Sequence, residues 1–426
     1  MASTVQLVDI CTDVSYGYTA SATNENTGTK FLRITDIQGG KVDWNHVPFC
    51  EIDSKSKEKN LLFKNDIVVA RTGNSTGENY LFSSAVSAVF ASYLIRFRVD
   101  PSAADPKFVW YQMRSRKWWD FIGGAKTGSA QAGANAKVLG SYELHLPSKS
   151  DQKAIAHILS SLDDKIELNQ KMNQTLEDIA KAIFKSWFVD FDPVRAKMEG
   201  RPTGLPPEIS DLFPDELVDS EIGEIPKGWG SAPLDKIGNF RNGLALQKYP
   251  AIDGEEQLPV VKIAQLRKGS TDGDELYASG IPQDFVINDG DFVFSWSGSL
   301  MAKYWVGGRG ALNQHLFKVE EKTHPLWFIA GWVEHFMPEF QSIAASKATT
   351  MGHIKREHLS QAICAIPPAN LLDLSARQIT PLIKRSIVAH QESKVLSELR
   401  DTLLPKLISG ELRIPDAEKF LEEAGI

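Results

Sequence analysis

The sequence is poor in cysteine and contains no long apolar run, and each absence excludes a class of protein. Only three cysteines occur among 426 residues, and Cys11, Cys50 and Cys364 are far apart. Such a set is too sparse for a disulfide framework or a CxxC metal site and is typical of a reducing compartment. No run of about 18 apolar residues is present, so we expect no membrane-spanning helix. The N-terminal residues lack the basic and apolar regions of a secretory signal, and we expect a cytoplasmic protein.

Motifs of two common enzyme classes are also missing. The chain has no GxxxxGK(S/T) phosphate loop, and it has no FxGxG motif followed by the (D/N)PP(Y/F) motif of amino-methyltransferases. The nine histidines form no cluster with the spacing of metal ligands. We therefore predict no catalytic residue, no metal site and no cofactor on this chain.

The charge of the chain is acidic, but it is unevenly distributed. The net charge is −7 and the pI is about 5.8, which argues against a simple nucleic-acid binder. The segment 211–224 contains six acidic residues and no basic one. The flanking regions are nearer to neutral and contain local basic clusters, so the overall pI does not exclude a local positive groove.

An internal duplication is the most informative pattern in the sequence. The offset between the copies falls from 229 to 225 to 220 residues, as shortened loops would cause. This period is far longer than the 20–50 residues of a solenoid repeat, so it predicts two copies of a whole domain. Two related surfaces are suited to a ligand with two halves. The matching segments are FLRITDI (31–37) with VVKIAQL (260–266), NDIVVARTG (65–73) with GDFVFSWSG (290–298), and YELHLP (142–147) with AICAIP (362–367).

Each copy is predicted to be rich in β-strands. Residues 1–148 contain β-branched or aromatic runs at 67–70 and 89–99, separated by turns rich in glycine, asparagine and serine. A helical piece is predicted at 106–121, and residues 326–337 occupy the equivalent place in the second copy, which spans 228–368.

A long helix is predicted after each copy, over 151–188 and over 371–410. Apolar residues recur at steps of three and four along both segments. Asn169 falls on the first stripe and would fix the register of a helix pair, and Pro381 and Pro405 are expected to kink or delimit the second helix. We predict that the two helices pair; packing of each helix on its own domain is the alternative. The predicted pairing residues are Ile155, Ile158, Leu162, Met172, Leu176, Ile179, Ile183, Ile383, Ile387, Val395, Leu399, Leu403 and Leu407.

Polar loops occupy matching places in the two copies and provide the candidate DNA-contacting residues. Lys and Arg pair with guanine, Asn and Gln with adenine, and small hydroxyl residues let the backbone approach phosphates. For any single residue a solvated turn is the alternative, and basic pairs such as Arg267-Lys268 are either phosphate contacts or surface charges. The candidates are Arg71, Thr72, Asn74, Thr76, Gln131, Asn135 and Lys137, and Ser297, Ser299, Lys303, Tyr304, Asn313, Gln314, Lys347, Thr349, Thr350, Lys355 and Arg356.

Several long segments resemble the specificity subunit of type I restriction-modification enzymes, and the resemblance covers nearly the whole chain. SSLDDKIELNQ (160–170) and FKSWFVDFDP (184–193) are similar to the central conserved region of that family. GEIPKGW (223–229) is similar to the entry to its second recognition domain, and LRDTLLPKLISGEL (399–412) is similar to its C-terminal signature.

The resemblance implies a non-catalytic chain that reads a bipartite, asymmetric sequence in double-stranded DNA, one half with each domain. It also implies docking of two methylation subunits, which would bind S-adenosylmethionine, flip an adenine and methylate its N6. Separate motor-nuclease subunits would cleave unmethylated DNA with ATP and Mg. A tandem β-rich protein that binds another protein or a glycan is the alternative function, and a self-contained nuclease or methyltransferase would need a catalytic motif.

The expected fold class is α+β, with two repeated β-rich target-recognition domains separated by long helices that pair as an antiparallel coiled coil. The expected order is a first target-recognition domain (1–148), a central spacer helix (149–190), a linker (191–227), a second target-recognition domain (228–368), a C-terminal spacer helix (369–412) and a tail (413–426).

Overall fold

The computed structural model describes residues 3–126, 134–271, 276–346, 352–423 and 425. The chain divides into two compact units. Unit 1 comprises Met1–Ile166 together with Val395–Ile426, and unit 2 comprises Glu167–Lys394. No helix among the described residues is both long enough and apolar enough to cross a membrane.

The first copy of the repeat lies in unit 1 and is built from short strands and helices. Its strands are β1 (Ser3–Gln6), β2 (Cys11–Tyr16), β3 (Lys30–Leu32), β4 (Ile67–Ala70), β5 (Asn79–Leu81), β6 (Ala88–Phe90), β7 (Leu94–Val99) and β8 (Glu143–Leu146). Its helices are α1 (Ser54–Asn60), α2 (Pro106–Gln112), α3 (Arg116–Lys126) and α4 (Ala136–Gly140). Every residue of the apolar strand β4 is buried, which explains why this run lies in the middle of a sheet.

The helix predicted at 106–121 is two helices. Asp105 caps α2 by accepting a hydrogen bond from the Phe108 amide (2.9 Å), and Pro106 stands in its first turn. The buried Gln112 then binds the backbone of His145 on β8 with both ends of its amide, at 3.0 Å each. The last turn of α2 is therefore bound to strand β8. The next helix, α3, begins after Ser115, whose hydroxyl accepts a hydrogen bond from the Trp118 amide (3.4 Å).

The chain continues through the first long helix into unit 2. The helices are α5 (Lys149–Phe184), which ends in a π-helical turn (Lys185–Val189), α6 (Asp192–Met198), α7 (Pro207–Ser210), α8 (Leu234–Ile237), α9 (Ile263–Lys268), α10 (Leu326–Ser346), α11 (Arg356–Gln361), α12 (Ala369–Ser409) and α13 (Ile414–Glu423). The strands are β9 (Leu217–Ser220), β10 (Gly223–Pro226), β11 (Gly230–Pro233), β12 (Gly238–Asn242), β13 (Gln257–Val261), β14 (Tyr277–Ser279), β15 (Val286–Ile287), β16 (Phe292–Ser295), β17 (Met301–Tyr304), β18 (Gly310–Leu312), β19 (Leu316–Glu321) and β20 (Ile363–Ile366).

The strand topology repeats between the copies. In unit 1 an antiparallel sheet has the order β2-β7-β4-β5, and in unit 2 the order β12-β19-β16-β17 reproduces it. The parallel pair β3-β6 returns as β13-β18, and the antiparallel pair β1-β8 returns as β11-β20. The predicted α+β fold class, with two sheet-rich domains and two long helices, is confirmed.

Inside unit 1, the first half of α5 packs against the end of α12. Ile155, Ile158 and Leu162 of α5 share one hydrophobic core with Leu403 and Leu407 of α12. The start of one helix thus meets the end of the other, which is the antiparallel arrangement. Leu399 packs at the edge of the same core.

An ionic cluster centred on Asp163 ties this helix pair to α2. The guanidinium of Arg400 on α12 donates to one carboxylate oxygen of Asp163 at 2.7 Å. The phenol of Tyr111 on α2 donates to the other oxygen at 2.7 Å, and Arg114 lies 4.0 Å away. Burial raises the pKa of Tyr111, and the neighbouring carboxylate raises it further, so the phenol stays a donor.

Inside unit 2, the second half of α5 lies beside the first part of α12. Ile183 and Ile383 pack at the edge of the unit 2 core, and the Ser386 hydroxyl of α12 donates to the Glu177 carboxylate of α5 at 3.2 Å. Met172, Leu176 and Ile387 are only partly buried. Two predicted pairing residues are wrong, because Ile179 is 42% exposed and Val395 is 61% exposed.

Part of the unit 2 seam is polar. Asn169 and Asn173 are only 1% and 2% exposed. The amide nitrogen of Asn169 and both amide atoms of Asn173 have no partner among the described residues. Buried amide atoms without a partner cost free energy, and the role of Asn169 in fixing the register of the helix pair stays a prediction.

The prolines of the second long helix do not delimit it. Pro381 and Pro405, which the sequence predicts to kink or delimit this helix, both lie within the continuous helix α12 and so do not end it. Both are exposed, so the carbonyl groups that lose a helical donor lie on the solvent side. The leucines beside Pro405, Leu403, Leu404 and Leu407, are buried in the unit 1 core and hold the helix in place.

The segment treated as a linker from its composition contains regular structure. It holds α6, α7 and the antiparallel hairpin of β9 and β10. Aromatic residues anchor it, since the Trp229 ring lies 6.0 Å from Phe188 and 5.6 Å from Phe191, and the Phe213 ring lies 5.6 Å from Trp187. Two of the resembling segments, FKSWFVDFDP and GEIPKGW, are therefore packed on each other in one core.

The Asp163 cluster leads to a stability prediction. Asp163→Asn should lower the free energy of unfolding by about 2 kcal/mol, because Arg400 and Arg114 lose the charge that neutralises them in a largely buried place. Hydrogen exchange along residues 149–166 would measure the loss of protection. Asp164→Asn is the matched control, since Asp164 is exposed and the charge change is identical. Equal effects of the two substitutions would contradict the structural role of the cluster.

Candidate nucleic-acid interface

A close backbone crossing builds the exposed site of the first copy. The chain leaving β2 passes across the turn between β6 and β7, where the Gly17 amide donates to Leu94 O and the Tyr18 amide to Phe90 O. A Cβ on Gly17 would lie 2.2 Å from the Phe90 carbonyl oxygen. Only glycine permits this approach, and it places Tyr16 next to the turn.

Three side chains are gathered at this crossing in the first copy. The backbone amide of Arg71 donates to Tyr93 O at 3.1 Å, and its Nε donates to Ser92 O at 3.0 Å. The guanidinium lies over the Tyr16 ring, 5.2 Å from its centre. Tyr16 and Tyr93 are 44% and 57% exposed. The exposed Tyr16 ring can stack on a base, and the guanidinium beside it can donate hydrogen bonds to base edges.

The helix α4 brings two further candidates to the same place. Ala134 donates its amide to Arg71 O at 2.9 Å, and Ala136 donates to the Tyr16 hydroxyl at 3.0 Å. Asn135 stands between them as the cap of α4, and its Oδ1 accepts from the Val138 amide at 2.9 Å. Lys137 is exposed in the first turn. The structure thus brings Arg71, Asn135 and Lys137 together.

The other candidates of the first copy differ in exposure. Asn74 is exposed and Thr72 half-buried, so both stay candidates. Thr76 is fully buried and its hydroxyl donates to Gly73 O, so it closes the loop and cannot reach a ligand. Gln131 lies outside the described residues.

The loop at 73–77 reads GNSTG, which matches the GxSxG pattern of a nucleophile elbow. A nucleophile elbow joins a strand to a helix. This loop instead joins the antiparallel strands β4 and β5. The Ser75 hydroxyl accepts a hydrogen bond from Gln38 at 3.1 Å. The match is therefore a hairpin turn.

In the second copy, an aromatic cluster occupies the corresponding crossing. The indole N–H of Trp296 donates to Asn242 Oδ1 at 2.9 Å, and the Trp296 ring lies 5.9 Å from the ring of His315. The Nδ1 of His315 shares a hydrogen bond with the Ser297 hydroxyl at 3.0 Å. Ser297 is only 3% exposed, so it orients His315 and does not itself face outwards.

The remaining polar residues of this crossing are mostly used inside the fold. Asn313 is 7% exposed and its Oδ1 accepts from the His315 amide, which makes it a turn residue. The Arg356 guanidinium donates to Phe240 O at 3.0 Å and lies over the Phe317 ring. Lys355 is exposed and pairs loosely with Glu357 at 3.4 Å. Gln314 is half-buried.

Two candidates point into the protein at another place. The Lys303 ammonium donates to Arg267 O at 3.1 Å, and burial lowers its pKa. Tyr304 packs on Phe292 with ring centres 5.0 Å apart, and burial raises the pKa of its phenol. Both residues therefore support strand β17 and do not belong to the exposed crossing.

The other second-copy candidates are dispersed. Ser299 is exposed, and so are Arg267 and Lys268 at the end of α9. Lys347, Thr349 and Thr350 lie outside the described residues. The crossing residues Tyr16, Tyr93, Asn242 and Trp296 were missed from the sequence, and so was His315, although it directly follows the candidates Asn313 and Gln314. The signal that could have found two of them is the glycine that follows Tyr16 and Asn242 in the chain.

The crossing gives a prediction that needs no ligand. Gly17→Ala should destabilise unit 1 by about 1–3 kcal/mol, because the new methyl group collides with a backbone carbonyl that no rotamer change can move. Thermal unfolding measures the loss. Gly123→Ala is the control, since Gly123 lies in α3 with open space around its Cβ position and should gain up to about 1 kcal/mol. An unchanged melting temperature for Gly17→Ala would refute the tight crossing.

Comparison with known proteins agrees with this architecture. Residues 3–178 match the family model described as the type I restriction modification DNA specificity domain. The specificity subunit of the type I restriction enzyme HindI from Haemophilus influenzae is 25% identical over 441 residues, covering 90% of this chain and 95% of the relative. The specificity subunit of the enzyme MjaIX from Methanocaldococcus jannaschii is 25% identical over 319 residues, covering 73% of this chain and 70% of the relative.

A crystal structure shares the fold. The S subunit of a type I restriction-modification system from M. genitalium superposes with a TM-score of 0.57 over 96% of each chain, at 15% identity. The family model, the relatives of similar length and the shared fold agree with the duplicated domains and the two long helices. Residues 3–178 therefore match the DNA specificity domain of type I restriction-modification enzymes, and the chain is similar over most of its length to specificity subunits of such enzymes.

Proposed function

We propose that this chain is the subunit that reads the DNA target of a type I restriction-modification enzyme, and that its target is bipartite and asymmetric. The observation that carries the proposal is the repeated crossing. Each unit presents one exposed crossing built on the same strand order, but the side chains displayed at the two crossings differ. Two identical recognition surfaces would suit a palindromic target, whereas two different surfaces suit a target whose two halves differ in sequence.

The chemistry of the crossings supports DNA as the ligand. The first presents a guanidinium, two aromatic rings and, at the start of α4, an amide and a lysine. Arginine donates to guanine in the major groove, asparagine pairs with adenine, and lysine contacts phosphates. A glycan site would also use aromatic rings, but it does not call for the basic residues that accompany them here. The acidic net charge is compatible with DNA binding, because partner subunits can supply further phosphate contacts.

The outer faces of the long helices support docking of partner subunits. Leu168 and Ile179 on α5 are 60% and 42% exposed, and Val388 on α12 is 48% exposed. Leu168 and Ile179 are eleven residues apart, about three helical turns, so they lie on one face of α5. Apolar side chains aligned on an exposed face are typical of protein interfaces. We propose that two methylation subunits bind to such faces.

In this account the chemistry belongs to the partners. The methylation subunits would bind S-adenosylmethionine and transfer the methyl group to adenine N6, and the motor-nuclease subunits would use ATP and Mg to cleave DNA. The role of this chain is to place the methylation subunits on the correct adenines.

A domain exchange tests the reading of half-sites. Replacing residues 3–146 with the corresponding domain of a relative that has another specificity should change one half of the methylated sequence and leave the other half unchanged. Each crossing lies within its own unit, so no contact of the second crossing is altered. Sequencing of the methylated motif in cells that express the hybrid complex gives the result. Simultaneous change of both halves would contradict one domain for one half-site.

A second prediction concerns docking. The double variant Leu168→Glu and Ile179→Glu should abolish assembly with the methylation subunit, because two charges would be buried in an apolar interface at several kcal/mol each. Light scattering of the mixed proteins measures the assembly, and we expect two methylation subunits for each copy of this chain in the wild-type complex. Gln378→Glu, at an exposed position of α12, is the control and should assemble normally. Full assembly of the double variant would exclude this face as the docking surface.

A further inference from the structure

The backbones of the two crossings correspond residue by residue, although the side chains that they display differ. Five backbone hydrogen bonds of the first crossing recur in the second with the same direction and similar lengths. In the first copy they are Gly17 N to Leu94 O (3.3 Å), Tyr18 N to Phe90 O (2.8 Å), Ser92 N to Tyr18 O (2.9 Å), Arg71 N to Tyr93 O (3.1 Å) and Ala134 N to Arg71 O (2.9 Å). In the second copy, in the same order, they are Gly243 N to Leu316 O (3.0 Å), Leu244 N to Leu312 O (2.9 Å), Gln314 N to Leu244 O (2.8 Å), Trp296 N to His315 O (3.4 Å) and Ile354 N to Trp296 O (3.0 Å).

The steric constraint recurs as well. A Cβ on Gly243 would lie 2.3 Å from the Asn313 carbonyl oxygen and 2.4 Å from that of Leu312, and a Cβ on Gly17 would lie 2.4 Å from the corresponding oxygen of Ala91 and 2.2 Å from that of Phe90. Tyr18 bridges Ala91 in parallel, and Leu244 bridges Asn313 in the same way. The two copies therefore keep one backbone framework at this place.

Three positions on this framework display side chains that differ completely between the copies. They are Tyr16 and Asn242, Arg71 and Trp296, and Tyr93 and His315, in first-copy and second-copy order. A position with a fixed backbone and a changed exposed side chain can alter what is recognised without altering the fold. One buried position beside them is unchanged, since Leu94 and Leu316 are the same residue.

We propose that these three paired positions, 16/242, 71/296 and 93/315, determine which base pairs each unit reads. The inference rests on the proposed DNA-reading function and assigns it to particular side chains. It adds Tyr16, Tyr93, Asn242, Trp296 and His315 to the recognition surface and makes Arg71 the principal reader of the first half-site.

The hydrogen bonds of Arg71 define what it reads. Its Nε is occupied by Ser92 O, and its two terminal nitrogens donate to no described residue. Tyr16 holds the guanidinium plane from one side. A fixed plane with two free donors matches the O6 and N7 acceptors of guanine in the major groove. The first half-site therefore contains a guanine read by Arg71.

The second crossing has a different donor pattern. Trp296 contributes no cation, and its N–H is already bound to Asn242 Oδ1, which leaves the amide N–H groups of Asn242 directed elsewhere. The Nδ1 of His315 is held by Ser297 at 3.0 Å, and its Nε2 lies 3.4 Å from the side-chain nitrogen of Gln314. An amide and an imidazole replace the guanidinium, so the second half-site must differ from the first at the corresponding base pairs.

Substitution at the paired positions, read by the methylated motif, tests the assignment. The chain is assembled with its methylation subunit and incubated with S-adenosylmethionine and a plasmid library of random sequence, and the methylated positions are sequenced. Arg71→Gln should relax one guanine position of the first half-site or change it to adenine, lower methylation of the original motif about 10- to 100-fold and leave the second half intact. His315→Ala should relax the second half alone.

The controls separate the possible failures. Arg116→Gln removes the same charge from a side chain that is 95% exposed and whose ion-pair partner is Asp120 on the same helix, and it should leave the motif unchanged. Tyr93→Ala truncates an exposed ring, so it tests the first half-site even if Arg71→Gln folds poorly. If the wild-type complex methylates no defined two-part motif, the proposed function fails. If the wild type does so while Arg71→Gln and Tyr93→Ala both keep its first half-site, the assignment of these positions is overturned.

Discussion

The approach of a glycine to a carbonyl oxygen is the constraint on which the recognition surfaces depend. At Gly17 and again at Gly243 the chain passes so close to a neighbouring turn that no side chain fits, with 2.2 and 2.3 Å to the nearest oxygen atoms. In the first copy, this contact and the hydrogen bonds around it fix the end of β2, the turn between β6 and β7 and the loop after β4 relative to one another. The side chains displayed there can then differ without disturbing the backbone, which is what the proposed reading of two different half-sites requires.

The long helices contribute to the cores of the two units through apolar packing and buried polar contacts. The core of unit 1 is closed by leucines of α12 and by the Asp163 cluster, where one carboxylate binds an arginine and a tyrosine from two other helices. In unit 2 the seam includes the buried amides of Asn169 and Asn173. The apolar residues Leu168, Ile179 and Val388 stay exposed on the outside, and the proposed docking of partner subunits rests on them. The segments that resemble the family signatures are thus packing elements, which explains why they are recognisable while the displayed loops are not.

Sequence patterns predicted the fold in most of its outline. Duplication, β-rich copies and two long helices follow from repeated motifs and from periodic apolar residues, because burial imposes those periods directly. The errors occur where tertiary contacts outweigh local preference. Gln112 divides a predicted helix by binding β8, and Pro381 and Pro405 do not end α12.

The candidate site was less predictable. Arg71, Asn135, Lys137 and Lys355 lie in the exposed crossings, but Thr76 and Asn313 are buried by loop hydrogen bonds that composition does not reveal. Tyr16, Tyr93, Trp296 and His315 look like ordinary strand and turn residues in the sequence. They come together only because segments tens of residues apart in the chain pair with each other. At these positions the two copies share their backbone hydrogen bonds but not their side chains, so the repeat cannot be seen in the sequence.

The central claim is that the two crossings face different halves of one DNA target. A photoreactive benzoylphenylalanine placed at position 93 or at position 315 of the complete complex, on DNA that carries the methylated motif, measures this directly. Irradiation and mapping of the crosslinked nucleotide should place position 93 in one half-site and position 315 in the other. Crosslinks from both positions to the same half, or to sequences outside the motif, would contradict the account.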